Sequence, residues 1–290
     1  MTTVDAVFPA GVGGPSRTRL RRIGRPTVVV AAAVLVLVAF MVVAPGLFTD
    51  ASPTDTDPVN ALAGPGASHW FGTDQLGRDV FTRVLYGARS SLLLGLGAIA
   101  LAVCGGTVLG LACALGGRVT DQVLIRLTDV LIALPPVLLA LLVIAVLGSG
   151  TTNTVIAIAT ALIPLYGRLV RTEAMVVRRS GYVEAAVGLG LRRGVLVARH
   201  VLPNALGPVL VLATVGFGTA LIYASALSFL GLGTRPPTPE WGLMLSEGRD
   251  FLQTSWWISV FPGAAITVTV IAVNVVGRYA QSQLAGRTAR

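Results

Sequence analysis

The chain reads as an all-α integral membrane protein of six transmembrane helices with both termini cytoplasmic, and three observations lead there. Hydrophobic residues make up 54% of the 290 positions and charged residues 12%, whereas a soluble domain carries roughly 25% charged residues to cover its surface. Six predominantly apolar runs are each close to the roughly 20 residues that a helix needs to cross the hydrocarbon core. The arginines, finally, gather beside alternate ends of those runs, the pattern that sets orientation.

Residues 1–26 form a basic cytoplasmic tail, with Arg17, Arg19, Arg21, Arg22 and Arg25 ahead of the first apolar run at 27–48. Its core, Val28 to Ala44, is longer than the roughly 7–15 residues of a signal-peptide core and no A-x-A site follows, so it reads as a retained first helix. With the first helix, the external segment completes a region 27–90. That segment contains Phe71-Gly72-Thr73-Asp74 and Gly77-Arg78-Asp79. Thr73 or Asp74 is a credible N-cap, and Val80, Phe81, Val84 and Leu85 recur at helical spacing with Arg78, Asp79 and Arg83 turned elsewhere. The pattern predicts a short amphipathic helix lying on the outer membrane face.

The remaining five spans, within a core domain 91–278, are read at 91–117, 128–148, 153–170, 204–232 and 257–277. In the second, Gly95, Gly97, Gly105, Gly106 and Gly110 suit close helix packing in lipid. Pro135-Pro136 in the third and Pro164 in the fourth predict kinks, because each proline removes an amide donor. The outer loop 228–245 places Pro236, Pro237 and Pro239 just after a helix that stops at Gly231 or Gly233, which predicts a rigid connection into Glu240-Trp241. Residues 279–290 read as a short cytoplasmic tail.

The inner loop 171–203 carries the most information. Gly181-Tyr182-Val183-Glu184-Ala185-Ala186 favours helix, Gly190 can supply the turn that closes it, and Pro203 fits the first turn of the fifth span. The expected product is a short helix held parallel to the membrane between two turns. Orientation follows from charge: 17 of the 22 arginines fall on the side of this loop and five on the other, giving +12 inside and −3 outside, within the total of +9.

Composition also excludes chemistries. All 22 basic residues are arginine, so neither a GxxxxGK[ST] phosphate loop nor a Schiff-base lysine exists here; if ATP drives this protein, another chain binds it. His69, His200, Cys104 and Cys113 show no metal spacing, and both cysteines read as packing residues. The positive charge tracks span ends and does not point to nucleic acid.

Together these loops resemble the permeases of ABC importers, specifically the second permease of the dipeptide, oligopeptide and nickel uptake group. That family's coupling-loop pattern is matched by Glu184-Ala185-Ala186, Gly190, His200 and Leu202-Pro203. Its FGTDxxGRD is matched by Phe71 to Asp79, and its SFLGLGxxPPxPEWG by Ser228 to Gly242. An acidic continuation after the last helix, frequent in the family, is replaced here by Gly277-Arg278-Tyr279 and a basic end.

The resemblance implies a type I ABC importer permease fold and a chain that forms half of a peptide pore. It also implies four partners: a homologous second permease, two cytoplasmic ATP-binding subunits that hold ATP and Mg, and an extracellular or periplasmic substrate-binding protein. Membrane lipid surrounds the assembly, and this chain itself holds no cofactor and catalyses nothing. Gly181, Tyr182, Glu184, Ala185, Ala186, Gly190, His200, Leu202 and Pro203 would couple to an ATPase. Phe71, Gly72, Thr73, Asp74, Gly77, Arg78, Asp79, Pro236, Pro237, Glu240 and Trp241 would form an external gate or a binding-protein contact. Nickel or another small solute is the alternative cargo. An ion-coupled secondary transporter is the rival class, but it needs ionisable groups at the bilayer midplane. Arg126 and Asp129 instead fall at the inner end of the third span, where pairing at the interface is expected.

Overall fold

The computed structural model describes residues 25–288, and the tail arginines Arg17, Arg19, Arg21 and Arg22 lie outside them. Ten α-helices are present among the described residues: α1 Arg25–Val43, α2 Val80–Leu115, α3 Gly117–Ala133, α4 Pro136–Leu147, α5 Thr151–Arg178, α6 Gly181–Gly188, α7 Arg193–Leu196, α8 Leu202–Phe229, α9 Trp241–Gly248 and α10 Trp257–Thr288. Five helical stretches are long and apolar enough to cross a membrane, with α3 and α4 together as a sixth, broken span.

The seam between α2 and α5 is the centre of the bundle. A Cβ on Gly106 would sit 2.5 Å from Cβ of Tyr166, and one on Gly110 would sit 2.6 Å from the carbonyl oxygen of Gly167. Backbones this close gain dispersion contacts that lipid cannot match. Around the seam Leu94, Ala98, Ala102, Ala157, Ile158 and Val170 are buried, and Val209, Ala220 and Ala224 of α8 close the core. Gly95, Gly97 and Gly105 likewise face Phe217, Val155 and Ile163.

Three boundaries differ from the sequence reading. Val80, Phe81, Val84 and Leu85 do not form a separate interfacial helix: they open α2, a single helix of 36 residues. At about 1.5 Å per residue α2 is ~54 Å long, well beyond the ~30 Å hydrocarbon core, so it is longer than a single crossing requires. The third apolar run does not merely kink. Leu134, held extended before Pro135, separates α3 from α4 by 98°. The 12 residues of α4 reach ~18 Å and cannot cross alone. α5, in contrast, runs unbroken through Pro164. At the other end of the chain, α10 continues through Thr288, so residues 279–288 extend the last helix and do not form a separate tail.

α3 is tied to α5 where both approach the arginine-rich side, through ion pairs Asp121–Arg171 and Asp129–Arg168. Arg178 donates to the carbonyl of Ala114 at 2.9 Å. These contacts fix the inner ends of α2, α3 and α5 and so fix the root from which α6 departs.

Candidate functional site

Two separate constellations hold the residues singled out from the sequence, one at each end of the bundle. The outer one is built from the loop before α2. Thr73 accepts from Ala63 N–H at 2.8 Å and donates to the Asn60 carbonyl at 2.5 Å, while its own carbonyl accepts from the Trp257 indole N–H at 3.0 Å. Gly72 adopts φ +74°, and a Cβ there would lie 2.6 Å from the Trp257 indole nitrogen; Gly77, at φ +75°, has the Asp57 carbonyl oxygen 1.8 Å from where a Cβ would be. Both glycines are therefore demanded by conformation and by space. Phe71 stacks on Phe261, with ring centroids 3.9 Å apart.

The N-cap of α2 is Asp79, whose carboxylate accepts from Thr82 N–H at 2.8 Å, and not Thr73 or Asp74. His69 Nδ1 lies 3.0 Å from the other oxygen of Asp79. Asp74 is released for a different role. It accepts from Arg78 Nε at 2.6 Å, and the Arg78 and Arg83 guanidinium groups both donate to one oxygen of Glu247 in α9, at 3.2 and 2.8 Å. Asp74, Arg78 and Arg83 are buried, so the two arginines face inward and do not turn to water. Burial of charge is tolerated here because two cations meet two carboxylates. The Nη1 of Arg83 has no hydrogen-bond partner and sits 3.6 Å from Asp74.

The second outer loop is locked by the same logic. α8 ends in a Schellman turn: Gly231 at φ +77° donates to Ser228 O, and Leu232 N–H reaches Leu227 O. Glu240, fully buried, caps α9 by accepting from Gly242 and Leu243 N–H at 2.8 Å each, and Ser91 donates to it at 3.1 Å. The Trp241 indole donates to Val84 O at 2.9 Å. Of the outer residues singled out, Pro236 and Pro237 are exposed, while Thr73, Asp74, Arg78, Glu240 and Trp241 are interior. Sequence reasoning missed Arg83 and Glu247 as members of this cluster; their partners lie more than 160 positions apart, out of reach of any local pattern.

The inner constellation is α6 and its supports. The helix runs from Gly181 to Gly188 and closes in a second Schellman turn, with Gly190 at φ +78°, Gly190 N–H on Val187 O and Leu191 N–H on Ala186 O. Val183 and Ala186 are its buried face, whereas Tyr182, Glu184, Ala185, Val187 and Leu189 are exposed. Ala186 thus packs inward, and Glu184 and Ala185 point outward. Beyond the turn, α7 passes through a π turn, Val197–Val201, into α8, with Leu202 N–H bonded to Val197 O. Pro203 is exposed in the first turn of α8, and the Tyr182 and His200 rings lie 6.3 Å apart. No group of three or more potential metal ligands occurs among the described residues.

A family model described as "Binding-protein-dependent transport system inner membrane component" matches residues 106–290. A dipeptide transport system permease protein of Alkalihalophilus pseudofirmus is 44% identical over 84% of this chain and 81% of its own length. A probable D,D-dipeptide transport system permease protein of Escherichia coli K12 is 40% identical over 88% of the chain and 85% of its own. A glutathione transport system permease protein of Pectobacterium atrosepticum is 38% identical over 96% and 93%. Among solved structures, an inward-facing MetNI methionine ABC transporter aligns with a TM-score of 0.55 at 16% identity, covering 68% of this chain and 93% of that one. That level of identity speaks to the fold.

Proposed function

Because this chain belongs to the family of binding-protein-dependent transport system inner membrane components, we propose that peptides cross the pore it helps to form and that α6 is the surface by which its ATPase partners drive it. The chain is a multi-pass permease subunit of the inner membrane in an ABC importer, and it carries out no ATP hydrolysis itself. The assembly in this reading adds a homologous permease, two ATP-binding subunits that hold ATP and Mg, and an external substrate-binding protein. Peptide cargo is supported by the dipeptide and glutathione names of the relatives.

One observation carries the coupling reading. α6 leaves the bundle between α5 and α8 on the arginine-rich side, is anchored through Val183 and Ala186, and displays Tyr182, Glu184, Ala185, Val187 and Leu189. An exposed apolar and acidic face, mounted on two spans, is a surface that a soluble protein can grip and move. To carry the pore from 1:99 to 99:1 between its two states, ATP binding must favour one of them by about 5.5 kcal/mol, and α6 is the link through which that preference would reach the spans. At the outer end, Pro236 and Pro237 offer exposed edges to a binding protein, while the buried cluster keeps the gate elements in register.

The test is Glu184→Arg, with Gly190→Val beside it, in the assembled transporter. Both variants should insert and fold, yet lose ATPase co-purification or ATP-driven peptide uptake into proteoliposomes. Normal uptake by both would place coupling elsewhere. Uptake of a nickel complex, with no uptake of any dipeptide, would overturn the cargo.

A further inference from the structure

The helix that follows α6 is not regular. Between α7 and α8 it widens into the π turn Val197–Val201, two residues before Pro203, and such turns occur mostly as single interruptions at functional positions. The cause is local. Pro203 has no N–H to offer the carbonyl four residues back and its ring crowds that carbonyl, so a tight α turn is unfavourable there. Leu202 N–H bonds instead five residues back to Val197 O, and the Asn204 side chain donates to His200 O at 2.7 Å.

The two sides of this turn are attached to different things. On the α8 side, Val201 and Ala205 are fully buried against Ala114 of α2 and Ala174 of α5, which ties that end to the bundle. On the other side the chain leads back through α7 to Gly190 and α6, and Ala198 and Arg199 are exposed. Across this junction Tyr182 of α6 meets His200 of the π turn, tilted at 50° with centroids 6.3 Å apart. That separation is within the 4.5–7 Å range of favourable ring pairs. A displacement of α6 therefore meets a loosened turn first and the rigid span second.

We infer that the π turn Val197–Val201 is the hinge through which α6 moves α8. The inference rests on the reading of α6 as the ATPase contact and adds to it a specific joint. A π turn holds one residue more than an α turn, so deletion of Ala198 closes it with little change in the phase of the helix on either side.

The experiment uses the complete transporter with its second permease and ATPase subunits. Wild type must co-purify with the ATPase; failure there would remove the reading of α6 itself, before any hinge is in question. Deletion of Ala198 should leave co-purification and basal ATPase near wild type, while peptide uptake and the stimulation of ATPase by loaded binding protein fall about tenfold or more, within the usual range of coupling between sites. Full coupling in the deletion variant would overturn the hinge. Should the deletion fail to assemble, hydrogen exchange on the wild-type complex decides. Amides of 197–202 should change exchange rate about tenfold between nucleotide-free and ATP-bound states while those of 209–215 stay constant, a local opening of the kind exchange reports; equal rates in both states would overturn the proposal.

Discussion

At the outer end of this permease Asp74, Arg78 and Arg83 are buried with Glu247 beside them, Glu240 is fully enclosed, and two tryptophan indoles donate to backbone carbonyls. At the inner end α6 keeps two residues inside and leaves Tyr182, Glu184, Val187 and Leu189 open. Both ends are loops between spans, both contain a Schellman turn, and both carry charge. They differ in where their polar and apolar groups find partners. The outer loops bury most of their charged groups against partners within the chain, the Nη1 of Arg83 excepted, and so form a cap held largely from within. The inner loop leaves its own unmet, and that surface is where a second protein adds most.

The sharpest way to break this comparison is at Glu247. Truncation to alanine strands two buried guanidinium groups with Asp74 as their sole counterion, and removing one partner of a buried pair costs about 3–5 kcal/mol. A large fall in the melting midpoint of the detergent-solubilised complex is expected, with Glu247→Gln intermediate. A midpoint unchanged by Glu247→Ala would mean that the cap is not held from within.

Two glycines give a matched pair. Gly72 and Gly190 have nearly the same backbone, φ +74° and φ +78°, but a Cβ on Gly72 meets the Trp257 indole at 2.6 Å and the Ala63 carbonyl at 2.7 Å, whereas one on Gly190 meets nothing within 4 Å. Alanine in the left-handed region costs roughly 1–2 kcal/mol at either site. At Gly72 the overlap adds a further ~1–3 kcal/mol. Gly72→Ala should thus destabilise clearly more than Gly190→Ala in parallel thermal unfolding of the two variants. Equal losses would show that the two ends are equally tight.

These contrasts also explain what could be read from the sequence. Apolar runs located the spans because burial in lipid depends on composition over about 20 residues, and the glycines of α2 announced close packing. Pro203 and Gly190 located the ends of the inner loop, since their backbone constraints are local. Arg78 and Arg83 were legible as charged and external but not as buried, because their partner Glu247 arrives from a distant segment. Asp79 displaced Thr73 and Asp74 as the cap of α2 once Asp74 was drawn into the ion cluster. The right-angle break at Pro135 exceeded the expected kink because two consecutive prolines remove two donors and force Leu134 to be extended.

The smallest effect on stability should come from Leu189→Ser, and it is the most telling for the inner end. Leu189 is 82% exposed, so the free permease loses almost no packing, and a surface change of this kind usually falls within about 0.5 kcal/mol. If a partner covers Leu189, the same change buries a hydroxyl in place of a leucine side chain, forfeiting about 1.5–3 kcal/mol of apolar burial. The expected outcome is an unaltered melting midpoint for the permease alone and a roughly tenfold or greater weakening of ATPase association, measured by titrating the ATPase subunits against the reconstituted permease pair. Leu189→Ser that binds the ATPase as wild type does would place this residue in water in the assembled transporter, and would confine the gripped surface of α6 to Tyr182, Glu184, Ala185 and Val187.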